Sequence, residues 1–123
     1  MVQLTQPQDN EPIDGETLRT EVLRAEKAAW ESKDEMAQAV LCEVHEALTA
    51  YRRTAEKLDE VSRRVFNEIE DLQQSLEFHG RPSNSLGALQ GSGPEVDRLC
   101  GEFRCRRQAL TRMIGLANKI LGD

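Results

Sequence analysis

Two pairs of residues hold the side chains best suited to chemistry in this sequence. Cys42 and His45 lie one helical turn apart, and Cys100 and Cys105 are separated by four residues. Together they could hold a zinc ion, because thiolate and imidazole are the ligands that zinc prefers. Structural zinc sites usually have tighter Cys pairs at turns, however. We therefore favour a simpler interpretation, in which Cys42 flanks the core and His45 is solvated.

Enzyme signatures are incomplete throughout the sequence. His45 and Glu46 match the start of an HExxH zinc-protease motif, but Thr49 stands where the second His belongs. Neither Cys pair has a third group nearby to orient a Cys/His nucleophile. The glycines of residues 80–93 lack the Lys and the preceding strand of a phosphate-binding loop. We predict that the chain is not an enzyme and uses no metal or cofactor.

The composition is typical of long helices in bundles and coiled coils. Only 4% of the 123 residues are aromatic and 31% are charged. The net charge of −6 argues against nucleic-acid binding, because affinity for phosphates comes from a surplus of Lys and Arg. The charges are distributed unevenly. Residues 1–93 hold ten Lys/Arg and eighteen Asp/Glu, whereas residues 94–123 hold six Lys/Arg and four Asp/Glu. The two parts could attract each other across a helix interface, or both could be solvated.

The polar start of the chain suggests a cytoplasmic protein. Residues 1–16 lack the apolar core of a signal peptide, and no window approaches the ~20 apolar residues that cross a bilayer. We therefore expect no membrane insertion. In a reducing compartment, Cys42, Cys100 and Cys105 should be free thiols that behave as small buried hydrophobes.

The first part of the chain predicts an arm followed by a long helix. Residues 1–13 should form a disordered or loosely attached arm that can still dock on assembly. A long coiled-coil helix should occupy residues 14–79, with Asp14 as its N-cap and Gly80 as its end. The helix could break near Ser32, where a capping box begins.

The rest of the chain predicts a linker and a second helix. Residues 80–93 have the Gly/Ser content of a flexible linker. A second amphipathic helix should occupy residues 94–121, with Pro94 at its first position. The predicted fold class is therefore all-α: a helical hairpin of one long and one shorter helix, which forms a coiled coil or a three- or four-helix bundle.

A stripe of residues spaced alternately by three and four is the most informative pattern, because this period keeps one face against a partner helix. Upstream, Met36, Val40 and Val44 are spaced by four, which is a stutter. Ala47, Val61 and Phe66 widen the face beyond a two-stranded seam, which favours three or four helices. The stripe consists of Val44, Leu48, Tyr51, Ala55, Leu58, Ser62, Val65, Ile69, Leu72 and Leu76.

The second helix is too short to cover the whole stripe. Folded back as a hairpin, it would cover only about residues 52–79. If the remaining apolar residues stayed in water, the chain would lose at least about 10 kcal/mol of stabilisation from their burial. This loss is comparable with the stability of a domain. Either the chain breaks near Ser32 and forms a three-helix bundle, or another chain covers these residues. We favour the second arrangement, because a short front helix is marginal alone. The uncovered residues would be Leu18, Val22, Leu23, Met36, Val40, Leu41 and Val44.

Five arginines make the second helix cationic: Arg98, Arg104, Arg106, Arg107 and Arg112. They could meet an acidic partner or an anionic membrane surface, or they could be the solvated rim of a bundle. Arg106 falls at a seam position of the second helix, where Arg normally fixes register.

The sequence thus predicts a scaffold or assembly subunit of a homo- or hetero-oligomeric helical complex, which binds itself or another helical subunit. The alternative is a small acidic adaptor, chaperone or inhibitor that binds and regulates one specific protein. The predicted partner-binding residues are Leu18, Val22, Met36, Val40, Val44, Leu48, Tyr51, Leu58, Val65, Phe66, Ile69, Leu72, Leu76, Phe103, Arg106, Leu110 and Met113.

Overall fold

Three helices make up most of the structure, a computed structural model that describes residues 3–8 and 13–122. They are α1 (Gly15–Glu31), α2 (Glu35–His79) and α3 (Ser85–Gly122). The described residues contain no strand, so the predicted all-α class is confirmed. Within the same residues, no helix has the length and apolar character needed to cross a membrane.

The chain divides into two compact units. Unit 1 consists of Met1–Arg52 and Cys105–Asp123, and unit 2 consists of Arg53–Arg104. Helix α1 belongs to unit 1 alone, whereas α2 and α3 each contribute to both units.

The predicted caps of the long helical region are present. The Asp14 carboxylate accepts hydrogen bonds from the backbone N–H groups of Glu16 and Thr17, each at 3.2 Å. The hydroxyl of Thr17 donates to the same carboxylate, and the bonds from Thr17 hold the pKa of Asp14 below its ordinary value. At the other end, Gly80 has a φ of 66° and donates its N–H to the Leu76 carbonyl at 3.1 Å.

Helices α1 and α2 are separated at residues 32–34, in the region where the capping box indicated a break. Ser32 closes α1 as its C-cap, and its hydroxyl donates to the Ala29 carbonyl at 3.3 Å. Lys33 has a left-handed φ of 56°. The cap of α2 is Asp34, whose carboxylate accepts the Ala37 N–H at 3.1 Å. The N-cap is thus Asp34 rather than the Ser32 of the capping box, because Ser32 already terminates α1.

Helix α3 begins at Ser85, so most of the segment expected to be a flexible linker is helical, and Pro94 lies inside the helix. Gly and Pro destabilise a helix interior by about 1 and about 3 kcal/mol. Asp71 of α2 contacts the start of this helix. The Asp71 carboxylate accepts hydrogen bonds from the hydroxyls of Ser85 at 2.7 Å and Ser83 at 2.8 Å, and both lower its pKa. Such contacts cannot be inferred from local composition.

In unit 1, α1 packs antiparallel on the first part of α2. Glu16, near the start of α1, pairs with Arg52 of α2. Glu26, later in α1, lies 3.2 Å from His45, earlier in α2. The chain therefore folds back on itself after the break.

The core of unit 1 corrects the expectation that the front of the chain stays uncovered. Five of the seven residues expected to need another chain are buried within this one, while Leu23 and Met36 remain 45% and 67% exposed. The expectation was wrong because it took the second helix as the only cover for the long helix. In the structure, α1 also folds back and covers these residues. The core contains Leu4, Leu18, Val22, Ala25, Ala29, Ala37, Val40, Leu41, Val44, Leu48, Tyr51, Leu110, Ile114 and Ala117.

Unit 2 consists of the later part of α2 and the earlier part of α3, which run antiparallel. Arg64 contacts Glu95 at 2.6 Å, and Asp71 contacts Ser85 as described above. With only two helices, the unit has a thin core. Its buried apolar residues are Val61 and Leu99, and its half-buried ones include Leu58, Val65, Leu72, Leu89, Val96 and Phe103.

Candidate interaction surfaces

The predicted partner-binding residues separate into three classes by burial. The seven buried residues belong to the core of unit 1, so a folded unit 1 cannot offer them to a partner. The buried residues are Leu18, Val22, Val40, Val44, Leu48, Tyr51 and Leu110. The half-buried ones are Leu58, Val65, Leu72, Phe103 and Met113, and the exposed ones are Met36, Phe66, Ile69, Leu76 and Arg106.

Three of the exposed residues form a stripe on α2 in unit 2. Phe66 is 60% exposed, Ile69 41% and Leu76 48%. Their spacing of three and seven places them on one side of the helix. We call these three residues the unit 2 apolar face. Phe78, at the end of α2, is also exposed, at 75%.

The unit 2 apolar face is exposed because two helices cannot cover all of a wide stripe. Val61 is buried, and Leu58, Val65 and Leu72 are half-buried, on the side of α2 that packs against α3. Ile69 and Leu76 share this side of α2 but are more exposed, and Phe66 lies to one side of them. The width of the stripe was evident from the sequence, and unit 2 leaves part of that width open to a further helix.

Unit 1 holds residues 3–8 as an extended segment against its helices. Leu4 is only 3% exposed, and the side-chain amide of Asn118 pairs with both its N–H and its carbonyl at 2.8 Å. Arg107 donates to the Gln8 carbonyl at 2.8 Å. The predicted loose arm is therefore docked over this stretch, and its residues 1, 2 and 9–12 lie outside the described ranges. Within residues 3–8, the apolar side chain of Leu4 was the feature of the sequence that could have indicated this docking.

Replacing Asn118 by Ala is expected to loosen the arm. The substitution removes both hydrogen bonds to Leu4, each of which contributes about 1 kcal/mol net. Hydrogen exchange of the Leu4 amide, followed by NMR, should accelerate at least about tenfold. The neighbouring exposed substitution Lys119→Ala is the control and should leave the exchange rate unchanged. Equal Leu4 protection in both variants would show that Asn118 does not hold the arm.

Arg106 is exposed in the single chain. It lines an open cavity of about 390 Å³ that is bordered by residues of α2, including Glu43 and Glu46, and of α3. The core side of α3 in unit 1 is formed by Leu110 and Ile114. Of the alternatives for the charge of Arg106, a solvated rim fits this exposure, and its role in fixing register stays a prediction.

The Cys and His residues singled out in the sequence differ from expectation. Cys42 and Cys105 are exposed and Cys100 is half-buried, so the first two are not buried hydrophobes. His45 is half-buried, and its Nδ1 lies 3.2 Å from a Glu26 carboxylate oxygen. In the part of the chain that the structure describes, no three His, Cys, Asp or Glu residues are grouped so as to hold a metal ion.

A cavity of about 490 Å³ opens between α1 and α2 in unit 1. The spacing patterns of the sequence did not indicate this cavity, although Trp30, which lines it, is the only Trp of the chain. The described residues that line it are Glu26, Trp30, Gln38, Cys42, His45 and Glu46.

Comparisons with known proteins find no relative of this chain. No protein-family model matches it, and neither the curated proteins nor the solved structures contain a match. Its function must therefore be inferred from the surfaces described above.

Proposed function

We propose that this chain is a non-enzymatic protein-interaction subunit that assembles with other helices through the unit 2 apolar face. The observation that carries the proposal is the exposure of Phe66, Ile69 and Leu76 on one side of a helix whose adjacent side packs against α3. The helical partner that fits this face best is a second copy of the chain.

The energetic reason for assembly is the cost of leaving the face in water. Complete burial of a Phe, Ile or Leu side chain contributes about 1.5–3 kcal/mol. Because the three side chains are 41–60% exposed, covering them would gain a few kcal/mol per chain, on the order of half the full burial value. Contiguous apolar patches on a protein surface commonly mark such interaction sites.

The charges along α2 favour a second copy as the partner. Arg63, which pairs with Asp59 at 2.7 Å and is 77% exposed at its side chain, precedes the middle of the face, whereas Glu70 and Glu77 follow. An antiparallel pair of copies centred near Ile69 would bring Arg63 of one copy close to Glu77 of the other. Two such hairpins would together supply four helices, and the width of the stripe predicts three or four.

The double substitution Phe66→Glu with Ile69→Glu tests the proposal. Both positions are exposed in the single chain, so the change should preserve helix content measured by circular dichroism. Light scattering should show the mass falling to that of one chain, 13.9 kDa. The matched control is Asn67→Glu with Gln74→Glu, which adds the same charge on another side of α2 and should leave the mass unchanged. An assembly that survives the Phe66/Ile69 change would refute the use of this face.

A second candidate function, the adaptor, chaperone or inhibitor, is favoured by the core of unit 1. Leu41, Val44, Leu110 and Ile114 are fully buried within one chain, which supports folding of unit 1 without a companion. A stable monomer could then use the unit 2 apolar face to capture one foreign helix. The two candidates differ in thermal unfolding, because a melting temperature that rises with protein concentration is expected only for self-assembly.

A further inference from the structure

The cavity between α1 and α2 in unit 1 presents an aromatic face to solvent. Trp30 is 72% exposed, although Trp side chains are highly buried on average. Its ring lines the cavity together with Glu26, which precedes it by one helical turn, and with residues from the facing part of α2. An exposed indole at the wall of a cavity is a surface on which a ligand can stack.

The charge of the cavity selects a cation. Glu26 and Glu46 contribute two carboxylates, and none of the described lining residues is Lys or Arg. Trp30 also lies in the last turn of α1, at the negative end of the helix dipole, and this turn contains no basic residue. A positive group in this cavity would therefore meet favourable potentials from both side chains and backbone.

We propose that this cavity binds the guanidinium group of an arginine side chain presented by a protein. The planar group stacks on the indole of Trp30 through cation–π attraction and donates hydrogen bonds to a carboxylate. A lysine ammonium ion lacks the planar face and the paired donors, so it binds less well. His45 is a positioning residue, because its contact with Glu26 at 3.2 Å orients that carboxylate.

The site is separate from the proposed assembly surface. Its described lining residues belong to unit 1, whereas the unit 2 apolar face consists of residues of unit 2. A failure of either proposal therefore leaves the other standing.

The fluorescence of Trp30 reports binding directly, because it is the only Trp of the chain. Titration with N-acetyl-L-arginine amide should change the emission along a saturating curve in the millimolar range, as expected for one small ligand of about 4 kcal/mol. N-acetyl-L-citrulline amide has nearly the same shape without the charge and should cause no saturating change. An equal response to citrulline amide, or no saturation with arginine amide, would overturn the proposal.

Two further ligands test the identity of the cation. N-acetyl-L-lysine amide should bind more weakly than the arginine compound, and equal binding would reduce the site to a general cation site and refute the assignment to arginine. Unblocked L-arginine should bind no more tightly than the blocked form. If it binds much more tightly, the ligand is the free amino acid rather than a protein side chain, which also refutes the proposal.

Substitution of the two carboxylates locates the binding. Glu26→Gln with Glu46→Gln should weaken arginine-amide binding by about threefold to tenfold or more, given about 1 kcal/mol for such pairs. Glu31→Gln with Glu35→Gln removes the same charge from exposed positions outside the cavity lining and should leave the affinity unchanged. Equal weakening in both double variants would mean that the net charge, and not this cavity, attracts the cation.

Discussion

Replacement of Val22 by Asp is expected to unfold unit 1, whereas the same replacement at the adjacent Leu23 should leave it folded. Val22 is 1% exposed and Leu23 45% exposed, although both lie on α1. An unpaired carboxylate buried among apolar side chains costs several kcal/mol, which approaches the 5–15 kcal/mol that typically stabilises a domain. The midpoint of urea unfolding, followed by circular dichroism, should therefore fall sharply for Val22→Asp only.

The comparison decides whether α1 folds back within its own chain. If the front of the chain instead awaited a separate partner, the isolated chain would leave Val22 in water. Both substitutions would then have similarly small effects on urea unfolding, and the description of the unit 1 core would be incorrect.

Truncation of Leu110 to Ala is expected to lower the free energy of unfolding by about 2–5 kcal/mol. The Leu110 side chain is fully buried, so the substitution removes apolar contacts and leaves a cavity in the core of unit 1. The control is Leu116→Ala on the same helix. Leu116 is 48% exposed, so its truncation should cost about 1 kcal/mol or less. Urea denaturation of both variants measures the difference.

The Leu110 substitution tests whether α3 contributes to the core of unit 1, as the Val22 substitution tests whether α1 does. A loss at Leu110 no larger than that at Leu116 would mean that α3 does not close the core of unit 1. The apolar residues assigned to the core of unit 1 would then be exposed as well, and the reason for assigning the interaction surface to unit 2 would disappear.

Local features of the sequence were sufficient to predict that most of the chain is helical and where several helices end. Asp14 and Gly80 act through their own backbone and nearest neighbours, so their roles are visible in sequence. The spacing of the apolar stripe predicted which side of α2 is apolar and that this side is wide. The start of α3 was mistaken because Asp71, distant in sequence, holds Ser83 and Ser85.

Long-range packing explains what the sequence could not supply. Whether Val22 is buried depends on the turn at Lys33 and on the part of α3 that belongs to unit 1, neither of which is encoded in the apolar spacing. The docked arm depends on the amide of Asn118, which lies at the other end of the chain. The Trp30 cavity likewise exists only once α1 has folded against α2.

If the chain assembles with a second copy through the unit 2 apolar face, its mass in solution depends on concentration. Sedimentation equilibrium of the purified chain over a wide range of concentrations measures this dependence. We expect a mass that rises from 13.9 kDa towards twice that value as the concentration increases. A mass that stays at 13.9 kDa at every concentration, with the helices intact, would contradict it.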